Sequence, residues 1–393
     1  MLRLFSLLEG SNYAPYAVHA TRSILRLPHI SFGSNVGKSQ LLHHLRFSVD
    51  YLRRAHLLDH EGKPVNLFGI ASHLSYTEPS NLAMVMLLQS GVIHDICSQA
   101  NLVEAQQDLM ILLCHLFCRR YLPEVYAKTS NIRDLVQKGP SSVVLTPLHP
   151  KARVVLLAHQ KETLGIFRAY ALAFSSQHAD ELGPDNRLPL SGGVIGPSDT
   201  STRPRTALFA HIAKTAVRPK ARSLFVATSG HDDTFGDVGE LARTVRHGIH
   251  LNEHAIPTME HILDPKRPLN AYLCDFFVHG QVDALVNMNG FRRGDVWFAL
   301  RDFYLILMAI RGDLENLLLN TLKDSEAEPD SPAMTDDSGY QSSDPSELDE
   351  AGDETNLSTF KRPRGVLDRD WRVYEVFRSI TNEFGVKFKA MWA

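Results

Sequence analysis

The chain has 393 residues, of which 44% are apolar and 22% charged, and its formal charge is −3. That is enough apolar material for a large core, usually split into two subdomains at this size, and it excludes a wholly disordered chain. No apolar run approaches the roughly eighteen residues a membrane helix needs, so no membrane partner is expected. The opening MLRLFSLLEG is too short an apolar stretch for a signal peptide, and the four cysteines, Cys97, Cys114, Cys118 and Cys274, all sit in apolar settings. A reducing, cytoplasmic location follows as the expectation.

Residues 1–38 read as an N-terminal extension. Within it, Gly33 to Ser39 follows an extended-looking run and precedes a helix, the setting of a phosphate-binding loop. Lys38 would then reach terminal phosphates and Ser39 would bind magnesium. The spacing argues otherwise: five positions before Gly37 stands Phe32, so a loop starting at Gly33 is one residue short. No strand ending in a magnesium-binding aspartate follows, and no guanine-reading motif. Gly33, Gly37, Lys38 and Ser39 are therefore read as a helix-entry loop with Ser39 as the cap, and no nucleotide or other cofactor is expected.

From Ser39, apolar Leu42, Leu45, Val49 and Leu52 recur at helical spacing, while His43, His44, Arg46, Arg53 and Arg54 fall largely elsewhere on the cylinder. The Asp59-His60-Glu61-Gly62 turn stops that helix. Val65 to Leu74 is short and β-compatible, and Pro79-Ser80-Asn81 opens an apolar helix that ends at Gly91 and should be buried. Further helices are expected at Glu104 to Tyr121, Lys151 to Ser175, Leu269 to His279 and Asp295 to Thr321. The last carries Trp297, Leu300, Tyr304, Leu307 and Leu314 as a core stripe. Ser141 to Leu145 and Ser223 to Ala227 read as isolated short strands.

Two composition breaks interrupt these patterns. Gly183 to Arg205 is rich in Pro, Gly and Ser and reads as an ordered loop with a mobile end near Pro197 to Thr202. Asp324 to Asn356 holds twelve acidic residues and no Lys or Arg, with too few large apolar side chains to offset the entropy of ordering, and is expected to be disordered. After it, Val373, Val376, Phe377, Ile380 and Phe384 restore helical periodicity over Trp371 to Trp392, a last helix docking back on the body.

Without those twelve acids the remainder carries about +9, and a basic body attracts phosphate backbones. Arg46, Arg53 and Arg54 form one cluster; Arg203 and Arg205, followed by Lys214, Arg218, Lys220 and Arg222, form the densest. Lys361-Arg362-Pro363-Arg364 is too short to argue for a nuclear signal. His247, His250 and His254 are spaced so that a helix would gather them, but Gly248 and Pro257 oppose a regular helix and no HExxH is present, so no metal site is expected. Cys114 and Cys118 read as core-filling thiols. No nucleophile elbow exists, and no catalytic residue is assigned.

Several phrases are familiar in their order: LLDHEGKP (Leu57 to Pro64), HLSYTEPSN (His73 to Asn81), Ser90-Gly91, CRRYLP (Cys118 to Pro123), LPLS (Leu188 to Ser191), SLFVATSGHDD (Ser223 to Asp233) and LNAYLCDFFVHG (Leu269 to Gly280). The run closes with Gly294-Asp295, Leu300, Asp302 and Phe303. In this collinear order they resemble the winged-helix end and following helical domain of Ski-two-like superfamily 2 RNA helicases, nearest the antiviral DExD/H-box helicase sixty group and its fungal relatives.

The resemblance implies a mainly α fold, with the end of a winged helix over 39–100 and a helical domain over 101–322; composition and periodicity add a disordered acidic linker over 323–364 and a C-terminal docking helix over 365–393. The resemblance also implies RNA as partner. Such helicases hydrolyse ATP with two RecA-like domains ahead of the winged helix, and the residues before Leu45 leave no room for one. The expectation is a C-terminal accessory part, a separate product or a fragment, that guides single-stranded RNA or completes a helicase core on another chain. ATP and magnesium would belong to that core. A protein-interaction scaffold and a nucleotide-binding protein using the loop at Gly33 are the alternatives.

Overall fold

The computed structural model describes residues 46–74, 78–123, 139–177, 259–263, 268–326 and 360–391, together with His19 and Val136. The first helical stretch, α1 (46–54), buries Phe47, Tyr51 and Leu52 and leaves its arginines outside. Leu52 is buried as its spacing required, Val49 is only half-buried, Leu42 and Leu45 lie outside the described residues, and Phe47 and Tyr51 join Leu52 on the inner face.

Helix α1 ends at Arg54, with His56 turning at φ +55°, and the turn expected to stop it comes later, built around Asp59. Its carboxylate accepts the backbone N–H groups of Glu61 and Lys63, both at 2.8 Å. Its own N–H donates to the Lys63 carbonyl at 2.9 Å, and Leu58 bridges Pro64. The Lys63 N–H bond, followed by burial acting in the opposite sense, leaves the Asp59 carboxyl below its ordinary value. Gly62 closes the turn at φ +86°, a conformation that side chains rarely adopt.

The segment expected to be β-compatible, Val65 to Leu74, instead contains the helix α2 (Phe68–His73). Phe68, Ala71 and Leu74 are all buried, and that three-residue spacing is helical rather than alternating. Helix α3 (Glu78–Gln89) is buried along most of its length, as its apolar composition requires. The buried Asn81 amide donates back to the carbonyls of Ala71 at 3.2 Å and Leu74 at 2.9 Å, which receive the end of α2. Gly91, at φ +78°, separates α3 from α4 (Val92–Cys97).

Helix α5 (Leu102–Leu116) starts at Asn101, whose side chain accepts the Val103 N–H at 3.0 Å. It stops five residues before Tyr121, the end expected from sequence, and Cys118 turns the chain at φ +49°. The residues after it pair instead: Asn270 N–H donates to the Arg120 carbonyl at 2.8 Å, and Leu122 N–H to that of Pro268 at 3.0 Å.

Next come α6 (Pro150–Gln177), α7 (Glu260–Leu263), α8 (Tyr272–His279), α9 (Val282–Asn287), α10 (Arg293–Glu326) and α11 (Asp368–Ala390). The expected start of α8 at Leu269 is displaced because Leu269 bridges Tyr121 and Asn270 bridges Val144, so these two residues are extended. Those contacts and Leu58 with Pro64 are the isolated bridges among the described residues, and the class is mainly helical.

Helix α11 lies along α10 and also touches α4, α5 and α8. Phe384 at its centre meets Phe276 of α8 and Phe303 of α10, each at 5.3 Å between centroids. The docking helix expected at the C-terminus is therefore part of the main core, which runs continuously from α1 to α11. No helix among the described residues is long and apolar enough to cross a membrane.

Candidate nucleic-acid interface

Arg46, Arg53 and Arg54 all project from α1 into solvent. Arg46 and Arg53 are two helical turns apart and share a face. The Arg54 Nε lies 3.1 Å from the Asp50 carboxylate. The inner side of α1 is fastened to α6, where the Tyr51 hydroxyl and His159 Nε2 are 2.8 Å apart in the core. Burial pushes the His159 imidazole down to about 4, so it is neutral near neutral pH. Tyr170, further along α6, meets the Phe47 ring edge-on at 6.2 Å. Its hydroxyl is raised first by burial and then by the Asp50 charge. The arginines of α1 thus stand on a fixed support.

A second cationic surface joins two motifs that are far apart in sequence. Arg120 lies over the Phe291 ring at 4.9 Å. Arg301 lies over Trp297 at 4.6 Å and Phe298 at 5.5 Å, and those two rings pack nearly perpendicular at 4.8 Å. The Tyr272 hydroxyl donates to the Cys118 carbonyl at 2.7 Å and its ring meets Phe291 at 4.7 Å, which with the Arg120 contact places the 118–121 turn beside the start of α10. Phe298 is 54% exposed, an unusual position for a phenylalanine, and Arg120 and Arg292 are exposed too. Arg301 Nη2 also reaches Asp302 at 3.1 Å, and Arg293 pairs with Asp283.

Sequence reading treated CRRYLP and the α10 stripe separately and placed Trp297 in the core. Trp297 is half-buried instead. The available signal was the pairing of aromatic and arginine residues at Trp297, Phe298 and Arg301.

Beneath this surface the LNAYLCDFFVHG segment builds a polar anchor. Asp275, 3% exposed, accepts the Ser142 N–H at 2.7 Å, the Ser142 hydroxyl at 2.6 Å and the Val143 N–H at 3.0 Å. Asn289 Nδ2 donates to it at 2.8 Å and to Asn270 Oδ1 at 2.8 Å. Asn270 Nδ2 in turn donates to the Asn289 carbonyl at 2.7 Å. A buried carboxylate with this many donors is an internal tie, not a free acid or base.

The other residues singled out from sequence, Lys214, Arg218, Lys220 and Arg222, lie outside the described residues, as do Gly33, Gly37, Lys38, Ser39, His247, His250 and His254. The acidic segment and the expected strand at Ser223 to Ala227 lie outside them too. Among the described residues no group of three or more His, Cys, Asp and Glu side chains is placed to hold a metal.

The geometry defines a helical body behind a short turn-bearing element, with exposed arginines on two faces. Residues 1–72 match the family described as "DDX60-like, winged helix domain". The chain is 27% identical over 336 residues to the human "Probable ATP-dependent RNA helicase DDX60-like", covering 81% of this chain and 19% of the human protein. An uncharacterized helicase of Dictyostelium discoideum is 25% identical over 273 residues, covering 67% of this chain and 14% of that protein. One of Caenorhabditis elegans is 24% identical over 272 residues, covering 69% and 14%.

The chain thus spans about a fifth or less of the length of these relatives. No solved structure matches it. The chain is thus similar, at modest identity, to DDX60-like helicases, and its first 72 residues match their winged-helix domain.

Proposed function

We propose that this chain is an accessory part of a helicase that holds and guides single-stranded RNA, with the ATPase chemistry supplied by the helicase core. ATP and magnesium would bind to that core. The observation that carries the reading is the surface where Arg120 covers Phe291 and Arg301 covers Trp297 and the exposed Phe298. Guanidinium groups stacked on rings provide both charge for phosphate and flat apolar surface for unpaired bases, the combination that single-strand binding uses. The exposed α1 arginines add phosphate-seeking charge on a second face, and Lys214, Arg218, Lys220 and Arg222 are proposed to contribute further phosphate contacts. The name of the human relative, an RNA helicase, supports RNA as the nucleic acid, and a cytoplasmic site of action is part of the same proposal.

The second reading, a protein-interaction scaffold, rests on α10. Leu305 at 41%, Met308 at 48% and Leu319 at 43% exposure continue from Phe298 along its outer side, an apolar stripe of the kind protein partners cover.

Fluorescence anisotropy with a labelled, unstructured RNA over a salt series separates the two. Phosphate tracking gives an affinity that falls with salt by a slope of roughly 0.7 per neutralised phosphate, with little dependence on base sequence. Charge reversal at Arg46 and Arg53, or at Arg120, lowers that slope. No binding at low salt would reject the RNA reading in favour of the scaffold.

A further inference from the structure

Two of the four cysteines meet at one place although they come from distant parts of the chain. Cys114 of α5 and Cys274 of α8 have their sulfur atoms 3.3 Å apart, at a sequence separation of 160 residues. Cys118 lies four residues after Cys114 but beyond the end of α5, where the chain turns at φ +49°. All are free thiols, Cys114 buried and Cys274 and Cys118 half-buried. No aspartate, glutamate or histidine completes a metal-binding group with them among the described residues. The chemistry left to this cluster is that of sulfur with sulfur.

We propose that Cys114 and Cys274 are a latent disulfide, a modification site that closes when a small-molecule disulfide such as oxidised glutathione reaches the protein. A disulfide bond is about 2.0 Å long, so the sulfurs must approach by about 1.3 Å. The half-buried Cys274 is the point of entry. Its thiolate attacks one sulfur of the oxidised glutathione, forms a mixed disulfide and expels one glutathione thiolate, while its own proton goes to water. The Cys114 thiolate, its proton also released to water, then attacks the Cys274 sulfur, forms the internal bond and expels the second glutathione. Both thiolates expelled take up protons. The protein gives up two protons and two electrons, and one glutathione disulfide becomes two glutathione thiols.

Burial holds the Cys114 thiol well above its ordinary value, and its neighbour Cys274 adds to this. The closing step is therefore slow at neutral pH and speeds up as pH rises. Once closed, the bond staples α5 to α8 across a long loop and removes freedom from the unfolded chain.

The full chain is equilibrated in glutathione buffers of increasing oxidation, alkylated, digested and mapped by mass spectrometry, and its melting temperature is read at each step. The expected result is a Cys114–Cys274 linked peptide that appears faster at higher pH, also forms in Cys118→Ser, and is reversed by dithiothreitol. A rise in melting temperature of several degrees accompanies it. In Cys114→Ser the adduct stops at the mixed disulfide on Cys274. The proposal is overturned if no link forms in the wild-type and Cys118→Ser proteins, if Cys118 supplies the partner instead, or if the glutathione adduct on Cys274 never closes.

Discussion

Replacing Asp275 by alanine removes the acceptor that ties Ser142 and Val143 to α8. The carboxylate is 3% exposed and is the acceptor for two backbone N–H groups, one hydroxyl and one amide. In Asp275→Ala the Ser142 hydroxyl turns to another acceptor and Asn289 keeps its bond to Asn270. The two N–H groups are left without partners. Val143 is held at φ +65°, so the backbone there has no relaxed alternative that keeps its side chain in place. An orphaned buried donor costs roughly 1–3 kcal/mol and charge-assisted bonds are stronger than neutral ones, so the loss is about 4 kcal/mol. Asp275→Asn keeps one oxygen but turns an amide toward a donor, at a cost of about 2 kcal/mol, and Ser142→Ala costs about 1 kcal/mol. Urea unfolding followed by circular dichroism reads all three. If Asp275→Ala lies within about 1 kcal/mol of wild type, the donors reach water on mutation and the anchor reasoning is wrong.

His159 predicts a pH dependence. Its imidazole is lowered to about 4 in the fold from an ordinary 6.5, so below 6.5 the unfolded chain takes up a proton that the folded chain refuses. Stability is therefore complete above that value and declines as pH falls toward 4, by on the order of 3 kcal/mol. A His159→Gln protein should lack that part of the acid sensitivity in urea titrations, and an unchanged difference between the two proteins across the range would refute it. Gly385 sits where an added Cβ would lie 2.8 Å from the Tyr304 hydroxyl and 2.9 Å from its ring. Gly385→Ala should lower stability by about 1–2 kcal/mol despite the better helix propensity of alanine. Adding Tyr304→Ala should remove the clash component, leaving the double variant no less stable than Tyr304→Ala alone. For nucleotide, calorimetry with ATP or GTP is expected to give no saturable heat, and stoichiometric binding lost in Lys38→Ala would reverse that expectation.

Helices were legible wherever apolar spacing ran long. The limits of α6 and α10 fall within a few residues of those expected, at Pro150–Gln177 and Arg293–Glu326. Phe384 and Ile380, picked out by periodicity, are fully buried in α11. Boundaries failed where tertiary pairing overrode local preference. Tyr121 and Leu269 fit helical patterns, but each finds its place in a bridge to the other. The α2 segment failed because a short run of β-compatible letters also satisfies a helical spacing, and burial of Phe68 and Leu74 decided it. For the site, the exposed α1 arginines could be read from the sequence, since a charged residue opposite a core stripe has nowhere else to go. The Arg120 and Arg301 surface could not, because proximity of the 118–121 turn to α10 is set by the fold and not by either segment alone.

Crosslinking of a thiouridine-substituted single strand to the full chain, with the attached peptides identified by mass spectrometry, tests RNA guidance most directly. The account predicts adducts in the 118–121 turn and at Trp297 and Phe298, with a second group on the outer face of α1 around Arg46 and Arg53. An absence of adducts at low salt, or adducts confined to parts of the chain away from both surfaces, would contradict it.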